Sequence, residues 1–176
     1  IYNDIYKRAD YSKYAGLWFA PNGKPMIVGV KSDLIEDYDA QGNPIYYEQY
    51  REMGEYFDIK NSQWPGKPKK SDGFPWMDWS YPQNNYGGIM SVSVAQHITY
   101  KMSLQDSNWG RGYNRSTFRN DSSKVNQGLN YQSEWDTVLK NSDNVNIAFV
   151  TGWNEWIAIK NKDSSGNAFF VDTFNE

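Results

Sequence analysis

The sequence predicts an α/β fold of the (β/α)-barrel type, with parallel strands and long loops at their C-terminal ends. Short apolar runs alternate with helical stretches, as βαβ units require. The stretches that follow those runs are long and rich in Trp, Pro, Gly and Asp. The chain has 176 residues, whereas a closed eight-stranded barrel typically takes ~250. About half of a barrel, or a truncated one, is therefore expected, within a single domain over residues 1–176. A small open α/β sheet is the alternative architecture.

The elements follow in order. Ile1 to about Tyr14 reads as a helix, because Ile1, Ile5 and Ala9 recur at i, i+4 and i+8. The chain starts inside that helix at Ile1 and stops in what reads as the start of another element, which suggests a fragment. Asn22-Gly23-Lys24-Pro25 is a turn, and Met26 to Val30 a short strand buried on both faces. Residues 32–44 are polar and turn-rich. Tyr47 to Tyr56 reads as a helix and Phe57 to Lys60 as a second strand. Asn61 to Gly88 is a long loop, and its cluster Phe74, Trp76, Trp79 and Tyr81 argues against disorder. Ile89 to Ala95 alternates and is β-branched, so it is a strand. A polar loop runs from His97 to Asn126. A helix over residues 127–140 sets Tyr131, Trp135, Val138 and Leu139 on one face. Asn146 to Thr151 is the clearest buried strand.

Composition narrows the function. Net charge is -3 and the pI about 5.2, which disfavours nucleic acid as a partner. The one dense basic run, Lys67-Pro68-Lys69-Lys70, reads as a solvated loop. There is no cysteine, hence no disulfide and no thiolate metal site. No apolar run is long enough to span a membrane. Aromatic residues make up 17% of a chain whose mean hydropathy is -0.83. Rings combined with polarity suit sugars, whose C–H faces lie on aromatic planes while their hydroxyls seek polar groups. The plainer reading is a structural or interaction domain whose rings form its core.

The chemistry centres on Gly152-Trp153-Asn154-Glu155-Trp156, directly after the last strand. Parallel α/β folds place their sites at such strand ends. Apolar walls around Glu155 would raise its pKa towards that of a general acid. Asn154 can hold a hydroxyl, and Trp153 and Trp156 can stack on a sugar ring. A second carboxylate is sought in Asp78, between Trp76 and Trp79, with Asp58 and Asp172 behind it. His97, the only histidine, and Gln96 follow a strand, as do Gln63 and Trp64; all four are candidates for the same mouth. Asp37 to Glu48 resembles a calcium loop in its spacing, with Asp37, Asp39, Gln41 and Glu48 as candidate ligands. Gln41 and Pro44 depart from that pattern, and a turn before a helix is the simpler reading. Otherwise no cofactor is expected. Asn114-Arg115-Ser116 and Asn120-Asp121-Ser122 fit the glycosylation sequon.

The run Phe149 to Trp156 resembles the strand-end signature of barrel glycoside hydrolases related to the endo-α-mannosidase (family 99-like) group. It also resembles the Asn-Glu-Trp barrels found beside bacterial polysaccharide-synthesis proteins. Residues 73–79, 91–97 and 132–136 look like stretches of large bacterial hydrolase-like proteins, so the resemblance spans most of the chain. It implies a TIM barrel and glycosidic-bond hydrolysis in a polysaccharide or glycan, outside the bacterial cell or at its surface. Glu155 would be the catalytic carboxylate. The family's second Glu would fall at Ala158, which carries no carboxyl group. A carbohydrate-binding barrel without catalysis is the alternative, and the rest of the barrel would lie on further sequence.

Overall fold

The structure, a computed structural model, describes residues 1–96, 98, 108–152, 160–162 and 165–170. The chain gathers into two compact units, Ile1–Ser62 and Gln63–Glu176. The fold is mixed α/β with small parallel sheets, and among the described residues no closed barrel forms.

In the first unit, strand β1 (Met26–Gly29) pairs in parallel with β4 (Asp58–Gln63), Met26 opposite Asp58 and Gly29 opposite Asn61. Between them come the antiparallel hairpin β2 (Ile35–Tyr38) and β3 (Pro44–Tyr46), then helix α1 (Arg51–Tyr56). The hairpin lies where only a polar turn region was expected, because its strands are short and carry little apolar alternation. The helix expected over residues 1–14 is instead a π-turn at Tyr2–Tyr6 followed by a 3-10 helix at Ala9–Leu17. Neither element fully buries a residue; Tyr2 and Tyr6 lean on the rings of Tyr56 and Phe57, too narrow a contact to hold a regular α-helix there. A cleft of about 310 Å³ beside the start of β4 is lined by Asn22, Lys24, Lys31, Tyr46, Phe57 and Asp58, among others.

The second unit is built on one parallel pair. After the short strand β5 (Gly73–Pro75), β6 (Ile89–Ser93) pairs with β9 (Ile147–Thr151), Ile89 opposite Ile147 and Ser93 opposite Thr151. The hairpin β7 (Tyr113–Asn114) and β8 (Arg119–Asn120) and helix α2 (Leu129–Lys140) lie between β6 and β9 in sequence. A last hairpin joins β10 (Lys160–Lys162) to β11 (Ala168–Phe170). Side chains alternate across a strand. Met90 and Val92 thus pack with Ala148 and Val150 against Tyr131, Trp135 and Val138 of α2. All five residues of β6 are buried, whereas β9 is half-buried until Thr151. The expectation of a buried β9 is met only at its C-terminal end. Two devices set up α2. Asp121 accepts hydrogen bonds from the Ser123 amide (3.1 Å) and hydroxyl (2.6 Å), which caps the preceding 3-10 turn. Gly128 then adopts φ 62°, a left-handed bend that a glycine takes without a Cβ penalty.

Candidate functional site

The C-terminal edge of the β6–β9 pair is where the second unit concentrates buried polar side chains. The Val94 amide donates to the Thr151 carbonyl (3.4 Å), so alternate amides of this strand point to β9. Ser91 and Ser93 present their backbone groups to the opposite edge, and side chains take the place of a neighbouring strand there. Gln83 Nε2 donates to the Ser91 carbonyl (3.2 Å) and to the Glu134 carbonyl (2.9 Å). Asn130 Nδ2 donates to the Ser93 carbonyl (3.0 Å), and the Ser93 amide donates to Glu134 Oε2 at 2.6 Å. An uncovered strand edge exposes costly backbone groups; here Gln83, Asn130 and Glu134 satisfy them.

Glu134 is the chemically unusual member. It is 2% exposed, and burial pushes its pKa up to about 7. The Ser93 amide, the charge of Arg115 and the Asn130 amide pull against that shift, and Asp78 adds to it. Arg115 Nη2 lies 3.6 Å from Glu134 Oε1, and its shorter bond, 2.6 Å, goes to Asn130 Oδ1. The Arg115 guanidinium sits 3.9 Å from the ring centres of both Tyr81 and Trp109 and 5.0 Å from that of Tyr113. Burial between the rings lowers the Arg115 pKa, against the raising influence of Glu134 and the two tyrosines. Desolvation thus works against the charged form of both partners, and a 3.6 Å separation is too long to offset it. Helical spacing places Asn130, Glu134, Thr137 and Val138 on the buried face of α2. An acid on that face was the signal for Glu134 that the sequence reading missed.

Asp78 is buried as well, with a different environment. Its Oδ1 accepts from the Ser80 amide (2.9 Å). Its Oδ2 accepts from the Asn84 amide (2.8 Å), Asn84 Nδ2 (2.8 Å) and Tyr86 Oη (3.2 Å). That carboxylate organises the loop over residues 78–86. Burial, and after it the neighbouring Asp78 carboxylate, pushes the Tyr86 hydroxyl up to about 12. Gln96 Nε2 donates to the Asp78 carbonyl (2.7 Å), so these two predicted site residues do meet at the end of β6. Among the described residues, Gln96 Oε1 and Ser93 Oγ are buried without a hydrogen-bond partner. That capacity suits a hydroxyl group or a water. Gly152, at φ 74°, ends β9 against the Ala95 carbonyl, which an added Cβ would approach to 3.2 Å.

The other predicted residues scatter. Trp64, just past β4, is 63% exposed and meets Trp76 edge-to-face at 5.9 Å. Trp76 and Trp79 are half-buried. Gln63 holds no free hydroxyl-binding edge: its amide is spent on the backbone of residues 64–70. Asp58 opens β4 rather than ending it, and is held by Asn22 (2.8 Å) and Lys60 (3.1 Å). The calcium-like spacing falls on the β2–β3 hairpin. There Asp39 closes the turn through the amides of Gln41 and Asn43 and the Asn43 side chain, and Glu48 accepts from Arg51. Asp37 accepts from the Tyr38 amide. Among the described residues no group of three or more His, Cys, Asp or Glu could hold a metal ion, and no helix is long and apolar enough to cross a membrane. His97, Trp153, Asn154, Glu155, Trp156, Ala158 and Asp172 lie outside the described residues.

Comparison of the chain with protein-family models, with curated proteins and with solved structures finds no match.

Proposed function

We propose that this chain belongs to a (β/α) barrel, of which it supplies about half, that hydrolyses glycosidic bonds in a polysaccharide or glycan at or outside a bacterial cell surface. Glu155 is the catalytic carboxylate, the general acid/base that protonates the leaving glycosidic oxygen as the C–O bond breaks, its partner carboxylate being Asp78 or one on further sequence. The observation that carries this reading is the register of β6 with β9. It sets Ser93 beside Thr151 with both strands running the same way, and ligands of parallel sheets bind beyond that edge. Gly152 turns the chain there, and Trp153-Asn154-Glu155-Trp156 follows at once in sequence. The buried polar cluster of Gln96, Ser93, Asn130 and Glu134 lies at the same edge. Exposed Trp64, backed by Trp76, adds a flat apolar surface suited to a sugar ring.

One observation favours the second reading, a carbohydrate-binding barrel without catalysis. Glycosidases use two carboxyl groups. Ala158 supplies none, and all four hydrogen bonds to the Asp78 carboxylate come from its own loop. Release of reducing ends from a polysaccharide panel, by the wild type and by Glu155→Gln, separates the two readings. Cleavage by the wild type alone, with binding kept in the variant, supports the enzyme. Binding without cleavage by either protein leaves only the binding module.

A further inference from the structure

The loop that follows β4 is held from below by one side chain. Gln63, 2% exposed, donates from Nε2 to the carbonyls of Trp64 (3.1 Å), Lys67 (3.3 Å) and Pro68 (3.3 Å), and accepts at Oε1 from the Lys70 amide (3.0 Å). The Lys67 amide closes the turn on the Trp64 carbonyl at 3.3 Å. Gly73 keeps the Gln63 side chain in place, because a Cβ there would stand 3.0 Å from Oε1 and 3.1 Å from Cβ of Gln63. A loop whose backbone is bonded at four points is preorganised, so a ligand need not order it.

This frame presents an unusual set of side chains. Trp64 is 63% exposed, the most exposed tryptophan among the described residues, and leans edge-to-face on Trp76 at 5.9 Å. Lys67, Lys69 and Lys70 follow within six residues and are exposed. Lys69 Nζ is 5.5 Å from the Tyr86 ring centre, which anchors that side chain near the ledge. A rigid indole ledge bordered by ammonium groups fits a ligand with both an apolar ring face and anionic substituents.

We propose that Trp64, Lys67 and Lys69 form a docking ledge for an acidic polysaccharide, in which a uronate ring stacks on Trp64 and neighbouring carboxylates pair with the two lysines. This rests on the carbohydrate reading above and specifies its substrate class. Acidic glycan is favoured over nucleic acid because a net charge of -3 with one short basic run lacks the broad basic footprint that phosphate-backbone binding uses, while a single ledge suffices for a few uronates.

The test is affinity electrophoresis and calorimetry of the full chain with polygalacturonate, alginate and hyaluronan. Each is paired with its carboxyl-reduced form, and single-stranded DNA is run alongside. At least one acidic polymer is expected to bind about 10-fold tighter than its reduced form, with the preference shrinking in high salt. Trp64→Ala should weaken both forms about 10-fold. Lys67→Gln with Lys69→Gln should erase only the acidic preference; these surface changes leave the Gln63 frame intact, which an unchanged circular dichroism melt verifies. Equal binding of acidic and reduced forms overturns the ledge and leaves the carbohydrate reading standing. DNA bound as tightly as the polyuronates overturns it in favour of nucleic acid. Binding of none of these polymers, acidic or reduced, overturns the ledge, while the carbohydrate reading falls only if the wider polysaccharide panel shows neither binding nor cleavage.

Discussion

Two buried carboxylates at the same end of β6 have opposite surroundings. Asp78 sits in a loop that offers four neutral donors to its oxygens. Glu134 sits on a helix, with one short donor from Ser93, a long approach from Arg115 and a weak one from Asn130 at 3.4 Å. The difference teaches how a fold assigns work to acids. A carboxylate saturated by its own loop is architecture. One that is buried and underfilled keeps a proton within reach of neutral pH and ties the strand end to the helix.

Glu134→Ala should have the largest effect. It orphans the buried Ser93 amide and leaves the Arg115 charge without its carboxylate, a change worth about 3–5 kcal/mol. Chemical denaturation should show this loss. A loss under about 1 kcal/mol would mean that Glu134 is a bystander.

The pH dependence of Glu134 comes next. Its folded pKa, about 7, lies above its ordinary value of 4.5, so the folded state binds the proton more tightly than the unfolded one. Its contribution is complete below the ordinary value and is lost as pH rises through 7. Glu134→Gln removes that dependence. The stability of the variant relative to wild type should therefore rise by on the order of 3 kcal/mol between about pH 4 and 8. Parallel curves for the two proteins would contradict the assignment.

Asp78→Asn should cost less, about 1–3 kcal/mol, because an amide keeps one acceptor but turns a donor towards either the Ser80 amide or the Asn84 donors. Melting temperature at one pH is enough to see it. An Asp78→Asn loss exceeding that of Glu134→Ala would reverse the ranking. In the first unit, Gly54→Ala would drive a Cβ to 2.7 Å from the Tyr46 ring. Overpacking of this kind typically costs about 1–3 kcal/mol, and thermal unfolding would show whether the ring yields.

Strong periodicity made part of the fold legible. The β-branched alternation of Ile89 to Ser93 and the apolar stripe of Tyr131, Trp135 and Val138 both became elements that pack on each other. The hairpins at residues 35–46 and 113–120 were not legible, since their strands are short and polar and are held by turn chemistry such as that of Asp39. Residues 1–17 carried helical spacing yet bury nothing. The spaced residues Ile1 and Ile5 stay exposed, while the ring contacts go to Tyr2 and Tyr6 instead. At the site, Gln96 and Asp78 meet at the end of β6 through a hydrogen bond from Gln96 Nε2 to the Asp78 carbonyl. Gln63 was misread as a hydroxyl binder: an amide beside a polar turn looks the same in sequence whether it faces ligand or backbone. Glu134 was passed over because acids on helices are ordinarily solvated, and only packing revealed this one as buried.

The most direct measurement on the central claim is leaving-group dependence at residue 155. With a polysaccharide that the wild type cleaves, Glu155→Ala should lose about 10²–10⁴-fold in kcat. On an aryl glycoside with a low-pKa leaving group, which needs no proton, the same variant should lose far less, while Glu134→Gln keeps most of the activity with an altered pH profile. Cleavage of the polysaccharide by Glu155→Ala at the wild-type rate would contradict the account.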